Sequence, residues 1–178
     1  MAFDQIRLDR PLSRLELVML AIVISLCAAW LMHRLAYLEA VAEARALDLT
    51  VRSMRTGLMV SIATRLLQGN SDAIEALAKS NPVGAIIDAP PGYIGALYQA
   101  NPANIHPGQW YFDEDAKCLV YHIVNADYFE GTAGKPVRVR IRLKLNYDDR
   151  NGNHAYDAGV DTPTGVGMEI LDPPKWKF

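Results

Sequence analysis

Cysteine is almost absent: the 178 residues hold two, Cys27 and Cys118. Cys27 lies inside an apolar run and Cys118 far along the chain, so they belong to different environments. No intramolecular disulfide is expected, and two cysteines say little about redox compartment. Acidic and basic residues nearly balance, 20 against 18. The net charge is -2 and the pI ≈ 6.1, so composition alone carries no basic footprint for nucleic acid. The sequence has no G-x-S-x-G, no P-loop and no G-x-G-x-x-G. Its histidines, His33, His106, His122 and His154, are scattered without metal-ligand spacing. With no hydrolase triad visible either, the chain reads as a non-enzyme. His122 falls within a predicted strand and reads as a packed or surface residue. Internal repeats and low-complexity segments are missing too.

Proline and glycine are missing from one long stretch, between Leu12 and Gly57. That stretch predicts a continuous helix over Leu12–Gln68, about 55 residues and about 85 Å at 1.5 Å per residue. Its front, Leu15 to Met32, is apolar and meets the roughly 20 residues that a bilayer requires. Its back is amphipathic. Leu35, Leu38, Val41, Ala42, Ala46, Leu49, Leu58, Ile62 and Leu66 recur at helical spacing, with charges such as Arg34, Glu39, Glu43 and Arg52 between them. An ordinary globular core needs no helix of that length, whereas a membrane segment that emerges as the spine of a domain does. The apolar run exceeds a secretory h-region and no clean A-x-A site follows it, so an uncleaved anchor is expected. Arg7, Arg10 and Arg14 precede the run, which places the N-terminus in the cytoplasm and the bulk of the chain outside.

Glu16 stands one turn into the apolar segment. A carboxylate within hydrocarbon costs several kcal/mol unless it is paired, which marks a functional residue. The other reading is headgroup depth, with Glu16 beside Arg14 at the membrane edge.

Beyond the long helix, Gly69-Asn70 reads as its close and Asp72–Lys79 as a short second helix. Residues 81–107 are rich in Pro and Gly and predict a long irregular connection. Four antiparallel strands are expected after it: Gln109–Asp113, Cys118–Asn125, Val137–Asn146 and Gly165–Leu171. The third is a clean alternation, with Val137, Val139, Ile141, Leu143 and Leu145 on one face and Arg138, Arg140, Arg142 and Lys144 on the other. The basic stripe reads as a solvated sheet face. The alternative is contact with an acidic neighbour or with phosphates, without the aromatics of a stacking platform.

The loop after that strand is the candidate ion site. Counting from Asp149, oxygen-bearing side chains fall at positions 1, 3, 5 and 9, as Asp149, Asn151, Asn153 and Asp157, with the Ala155 carbonyl available between them. Such spacing turns hard oxygen ligands toward one Ca²⁺. The glycine comes earlier than in an EF-hand, no Glu closes position 12, and Asp161 comes one place later. The same residues are also good turn formers. Both readings stay open: a Ca²⁺ site that holds the loop, or a turn.

The segment Leu12-Ser13-Arg14-Leu15-Glu16-Leu17 entering the apolar run, the helix that continues past it, and the β-rich end with its acidic loop resemble type IV pilin-like proteins. That class includes the pseudopilins of type II secretion. Residues 107–113, followed by Leu119-Val120-Tyr121, resemble a hairpin of the same proteins. The resemblance implies a pilin-like α+β fold: a long N-terminal helix with its second half packed on a four-stranded antiparallel sheet. It divides the chain into a cytoplasmic leader (1–11), a transmembrane helix (12–33), the outer half of the helix (34–69), a short helix and loop (70–107) and the sheet (108–178). It also implies cleavage of the leader by a prepilin peptidase between Pro11 and Leu12, with Glu16 neutralising a neighbour's terminal amine during assembly. Pro11 stands where the family carries Gly or Ala, and Leu12 where Phe is usual, so processing and permanent anchoring are both open. The implied partners are other pilin-like subunits and assembly components in a bacterial inner membrane. The competing reading is a single-pass, membrane-anchored periplasmic binding or sensor module outside any filament.

Overall fold

The computed structural model describes residues 13–68, 72–86, 88–130 and 137–178. The leader, the Pro11–Leu12 junction and the expected helix close at Gly69-Asn70 lie outside the described residues. The fold is α+β, with one long N-terminal helix and a five-stranded mixed sheet. The chain divides into two compact units, Met1–Glu39 and Ala40–Phe178. Helix α1, Arg14–Leu67, runs unbroken for 54 residues because nothing in it removes a backbone donor before its end.

In the first unit, residues 13–35 are all exposed. Leu15, Trp30 and Met32 keep 68–70% of their surface open to solvent. The helix is long and apolar enough to cross a membrane. The Ser25 hydroxyl donates to the Ala21 carbonyl one turn back at 2.8 Å, so even this polar group is satisfied within the helix.

In the second unit, the part of α1 that buries apolar side chains uses Leu47, Val51, Met54, Leu58 and Ile62, spaced four, three, four and four apart. The expected stripe is corrected here. Leu58 and Ile62 belong to the buried face, but Leu49 is 66% exposed and Leu66 45%. Two apolar stripes overlap on this helix, and the sheet selected the one through Leu47.

Strands β1 (Tyr93–Leu97), β2 (Trp110–Asp113), β3 (Cys118–His122), β4 (Arg138–Asp148) and β5 (Thr162–Ile170) lie side by side in that order. The expected all-antiparallel, four-stranded sheet is therefore corrected. β2 to β5 pair antiparallel, but β1 pairs parallel with β2, setting Tyr93 against Trp110 and Ala96 against Phe112. β1 falls inside the stretch expected to be irregular. Gly95, at φ 111°, sits where the register shifts, and it breaks the alternation by which a strand is recognised. Helix α2 covers Asp72–Ala78.

The sheet is buried on both faces at its centre. On the face toward α1, Trp110, Phe112, Leu119, Tyr121, Val139 and Ile141 pack with Leu47, Val51 and Met54. Beside them, Leu58 and Ile62 pack with Ile74 and Leu77 of α2 and with Leu143 and Val166. The opposite face carries a smaller cluster of Ile105, Tyr111, Cys118 and Val120. Its cover follows from topology. Two parallel neighbours need a crossover of about a dozen residues, and the segment between β1 and β2 brings Ile105 over this face.

Candidate functional site

Glu16 sits in the first turn of α1 and closes a reciprocal cap. The Ser13 backbone N–H donates to Glu16 Oε2 at 2.7 Å, and the Glu16 N–H donates to Ser13 Oγ at 3.2 Å. This is the S-x-x-E capping box, which satisfies donors that a helix start otherwise leaves open. Sequence reasoning set Glu16 beside Arg14, whereas the spacing Ser13-Arg14-Leu15-Glu16 joins it to Ser13. The other processing residues, Pro11 and Leu12, lie outside the described residues.

The acidic loop is a closed web. Asp149 accepts from the backbone N–H of Gly152 at 2.7 Å and of His154 at 2.8 Å. The His154 bond, helped by that of Gly152, holds the Asp149 carboxyl below its ordinary range. The side-chain amides of Asn151 and Asn153 both donate to Asp157 Oδ2, at 2.6 and 2.7 Å. The loop thus brings Asn151 and Asn153 onto Asp157, while Asp149 is engaged separately by backbone N–H groups. Ala155 lies on the same loop, its N–H donating to Asn153 Oδ1 at 2.8 Å. Oxygen donors of this type suit a hard cation. A cation at Asp157 needs both amides turned to present oxygen instead of nitrogen, a rotation that exchanges near-isosteric ends. Among the described residues no group of three or more His, Cys, Asp or Glu side chains is placed to share a metal. The residue that sequence reasoning set aside, Asp161, is buried and organises the loop. Its two oxygens accept from the N–H groups of Arg150 at 3.0 Å and Asp157 at 2.7 Å. Tyr156 ties the loop to α2 by donating to Glu75 Oε2 at 3.0 Å.

The basic stripe of β4 is partly neutralised within the sheet. Arg140 forms a two-pronged pair with Asp172, at 2.5 and 2.9 Å. That pairing holds the Asp172 carboxyl down and pushes Arg140 up. Arg142 lies 3.9 Å from Glu169 across the ladder. Arg138 pairs in register with His122.

Two constellations escaped the sequence. Glu43 collects four hydrogen bonds on one carboxylate: from the Tyr121 hydroxyl (2.9 Å), the Val124 N–H (2.6 Å), and the Asn125 N–H and side-chain amide (2.9 and 2.8 Å). Burial first, and then Glu43, push the Tyr121 phenol up. No local pattern announces a contact across 78 residues. The second constellation is Tyr111 with His122, rings edge-on at 5.8 Å. Both are buried, and His122 Nε2 has no hydrogen-bond partner among the described residues. Open troughs of about 490 and 260 Å³ flank α1 near Gly57, and neither brings two titratable side chains together.

No protein-family model matches the chain, and no curated protein or solved structure is similar to it.

Proposed function

We propose that this chain is a pilin-like subunit of a type IV pilus or type II secretion pseudopilus, held in a bacterial inner membrane and acting by association. The observation that carries the reading is α1 itself. One helix of 54 residues begins with an apolar, exposed stretch and, without a break, becomes the buried spine of an α+β unit. The apolar surface of Leu15 to Met32 has only lipid or like helices as favourable surroundings. In this reading Glu16 is the residue that recognises a neighbouring subunit's amine, and the other pilin-like subunits and inner-membrane assembly components are the partners.

Two experiments test the proposal. The intact mass of protein recovered from membranes, with and without a prepilin peptidase, reports processing. Loss of residues 1–11 with one added methyl supports a processed subunit. A full-length mass under both conditions removes the free amine and sinks that role for Glu16. Separately, Glu16→Ala should abolish incorporation into an assembly while leaving membrane insertion intact.

One observation favours a second reading, a single-pass anchored periplasmic binding or sensor module. The Glu16 carboxylate is already engaged by its own helix start, as suits a residue that only marks the membrane edge. For that reading Glu16→Ala leaves function unchanged. We also propose Ca²⁺ as the ion held by Asp149, Asn151, Asn153, the Ala155 carbonyl and Asp157, in a structural role.

A further inference from the structure

The cluster on the sheet face away from α1 contains groups that an inert core has no use for. His122 is 3% exposed, and its Nε2 has no hydrogen-bond partner among the described residues. Tyr111, fully buried, meets it edge-on. Arg138 is the cross-strand neighbour of His122. Arg140 and Arg142 have carboxylates in Asp172 and Glu169, whereas no ion pair reaches Arg138 among the described residues. A buried imidazole beside a guanidinium with no such carboxylate has one comfortable state, the neutral one.

The cover over this cluster is thin. Residues 98–109 cross from β1 to β2 and place the buried Ile105 and the half-buried Ala100 on the cluster. Within the segment the backbone bonds are short turns, Asn104 N–H to the Asn101 carbonyl and Ile105 N–H to the Pro102 carbonyl. Its start is tied by the Gln99 N–H donating to Asp115 Oδ2 at 2.7 Å in an exposed position, with Gln99 itself at φ 49°. Its end is tied to His122 directly: the Gly108 N–H donates to the His122 carbonyl at 2.8 Å, and the His122 N–H donates to the Gln109 carbonyl at 3.1 Å. Few buried contacts and a strained entry describe a segment that opens at less cost than the core.

We propose that the crossover 98–109 is an acid-released strap, held closed by neutral His122 and loosened when His122 takes up a proton beside Arg138. The groups facing His122 can be named element by element. β2 presents the Tyr111 phenol and, two residues on, Asp113. β3 presents the Cys118 thiol. β4 presents Arg138 and the paired Arg140, and the strap itself carries the exposed His106. Burial is the first influence on the His122 imidazole and Arg138 the second, and both hold its pKa below the ordinary 6.5. The sign follows. The open strap lets His122 protonate near 6.5, and the closed strap resists until a lower pH. Closure is therefore fully favoured above 6.5 and is lost as pH falls through the window below it. Opening bares Tyr111, Cys118 and protonated His122 beside the half-buried Arg138, which makes a cationic and aromatic surface.

The test uses the full chain in lipid nanodiscs and native-state amide exchange between pH 8 and 5, corrected for intrinsic rates. The protection of Ile105, Gly108 and His122 should fall as pH drops below 6.5, by at most about tenfold per pH unit, while Leu119 and Ile141 on the α1 face hold theirs. An equal loss at all five amides means global unfolding and overturns the proposal. His122→Phe should make the strap amides insensitive to pH, and a slope that persists in this variant overturns it as well. Should that variant not fold, Arg138→Gln and a direct NMR titration decide. Wild-type His122 must titrate below 6.5 and move toward it in Arg138→Gln. Titration at or above 6.5 in the wild type refutes the strap.

Discussion

Glu43 joins α1 to the end of β3 through one carboxylate with four donors. Removing the acceptor leaves the Tyr121 hydroxyl and two backbone N–H groups competing for water at a partly buried site. Glu43→Ala should therefore cost about 2–4 kcal/mol in denaturant unfolding, and Glu43→Gln about half as much, since the amide retains one accepting oxygen. A loss below about 0.5 kcal/mol would show that solvent replaces these bonds. The Arg140–Asp172 pair makes a prediction in pH. The guanidinium holds the Asp172 carboxyl below its unfolded value, so the pair's stabilisation is present above the unfolded pKa, 3.8, and is lost as pH falls through the lower folded one. Both side chains are about a third exposed, so the effect is modest, on the order of 1 kcal/mol or less. Asp172→Asn should flatten the acid limb of the stability profile below pH 4, and an unchanged limb would exclude this pair as its source.

At the scale of elements, the close approach of α1 to the 82–86 turn depends on Gly57. A Cβ built there meets Ile86 Cγ2 at 3.2 Å and Ile86 Cβ at 3.3 Å. Gly57→Ala sets a gain in helix propensity of about 1 kcal/mol against a small shift of Ile86. Gly57→Val adds bulk that the site cannot take and should destabilise by about 1–3 kcal/mol. Measured denaturant midpoints should fall in the order glycine or alanine, then valine, and an equal midpoint for valine would mean that the turn moves freely. The loop 148–161 is an element of a different kind, held by its own polar side chains and by Tyr156 on α2. A Ca²⁺ ion at 100 times its dissociation constant would add about 2.7 kcal/mol and raise the melting midpoint on the order of 5–10 °C. Asp149→Ala should remove that response. Identical melting with excess Ca²⁺ and with chelator would refute the ion.

For the whole molecule, the packed core lies within Ala40–Phe178, while residues 13–35 bury nothing in the chain itself. A chain beginning at Leu35 should therefore be soluble and unfold cooperatively by circular dichroism. A molten, non-cooperative transition would show that the apolar segment is needed for folding. The full chain should require detergent or lipid, because a continuous apolar face of that extent associates in water.

The long helix, the apolar run, the small second helix and the β2–β3 hairpin are legible in the chain alone, because each rests on local signals. The helix follows from the absence of Pro and Gly over 44 consecutive positions after Leu12, and β4 from strict alternation. The spacing of the acidic loop was legible for the same reason. Which stripe of α1 faces inward was settled by packing, since Leu47 and Leu49 are equally apolar and the sheet chooses between them. Long-range contact also decided that β1 exists. A five-residue strand interrupted by Gly95 has no period of its own and is made by pairing with β2. The contacts of Glu43 and the burial of His122 beside Arg138 belong to the same class. They join residues far apart in the chain, and nothing in the neighbourhood of either residue records the partner it will meet.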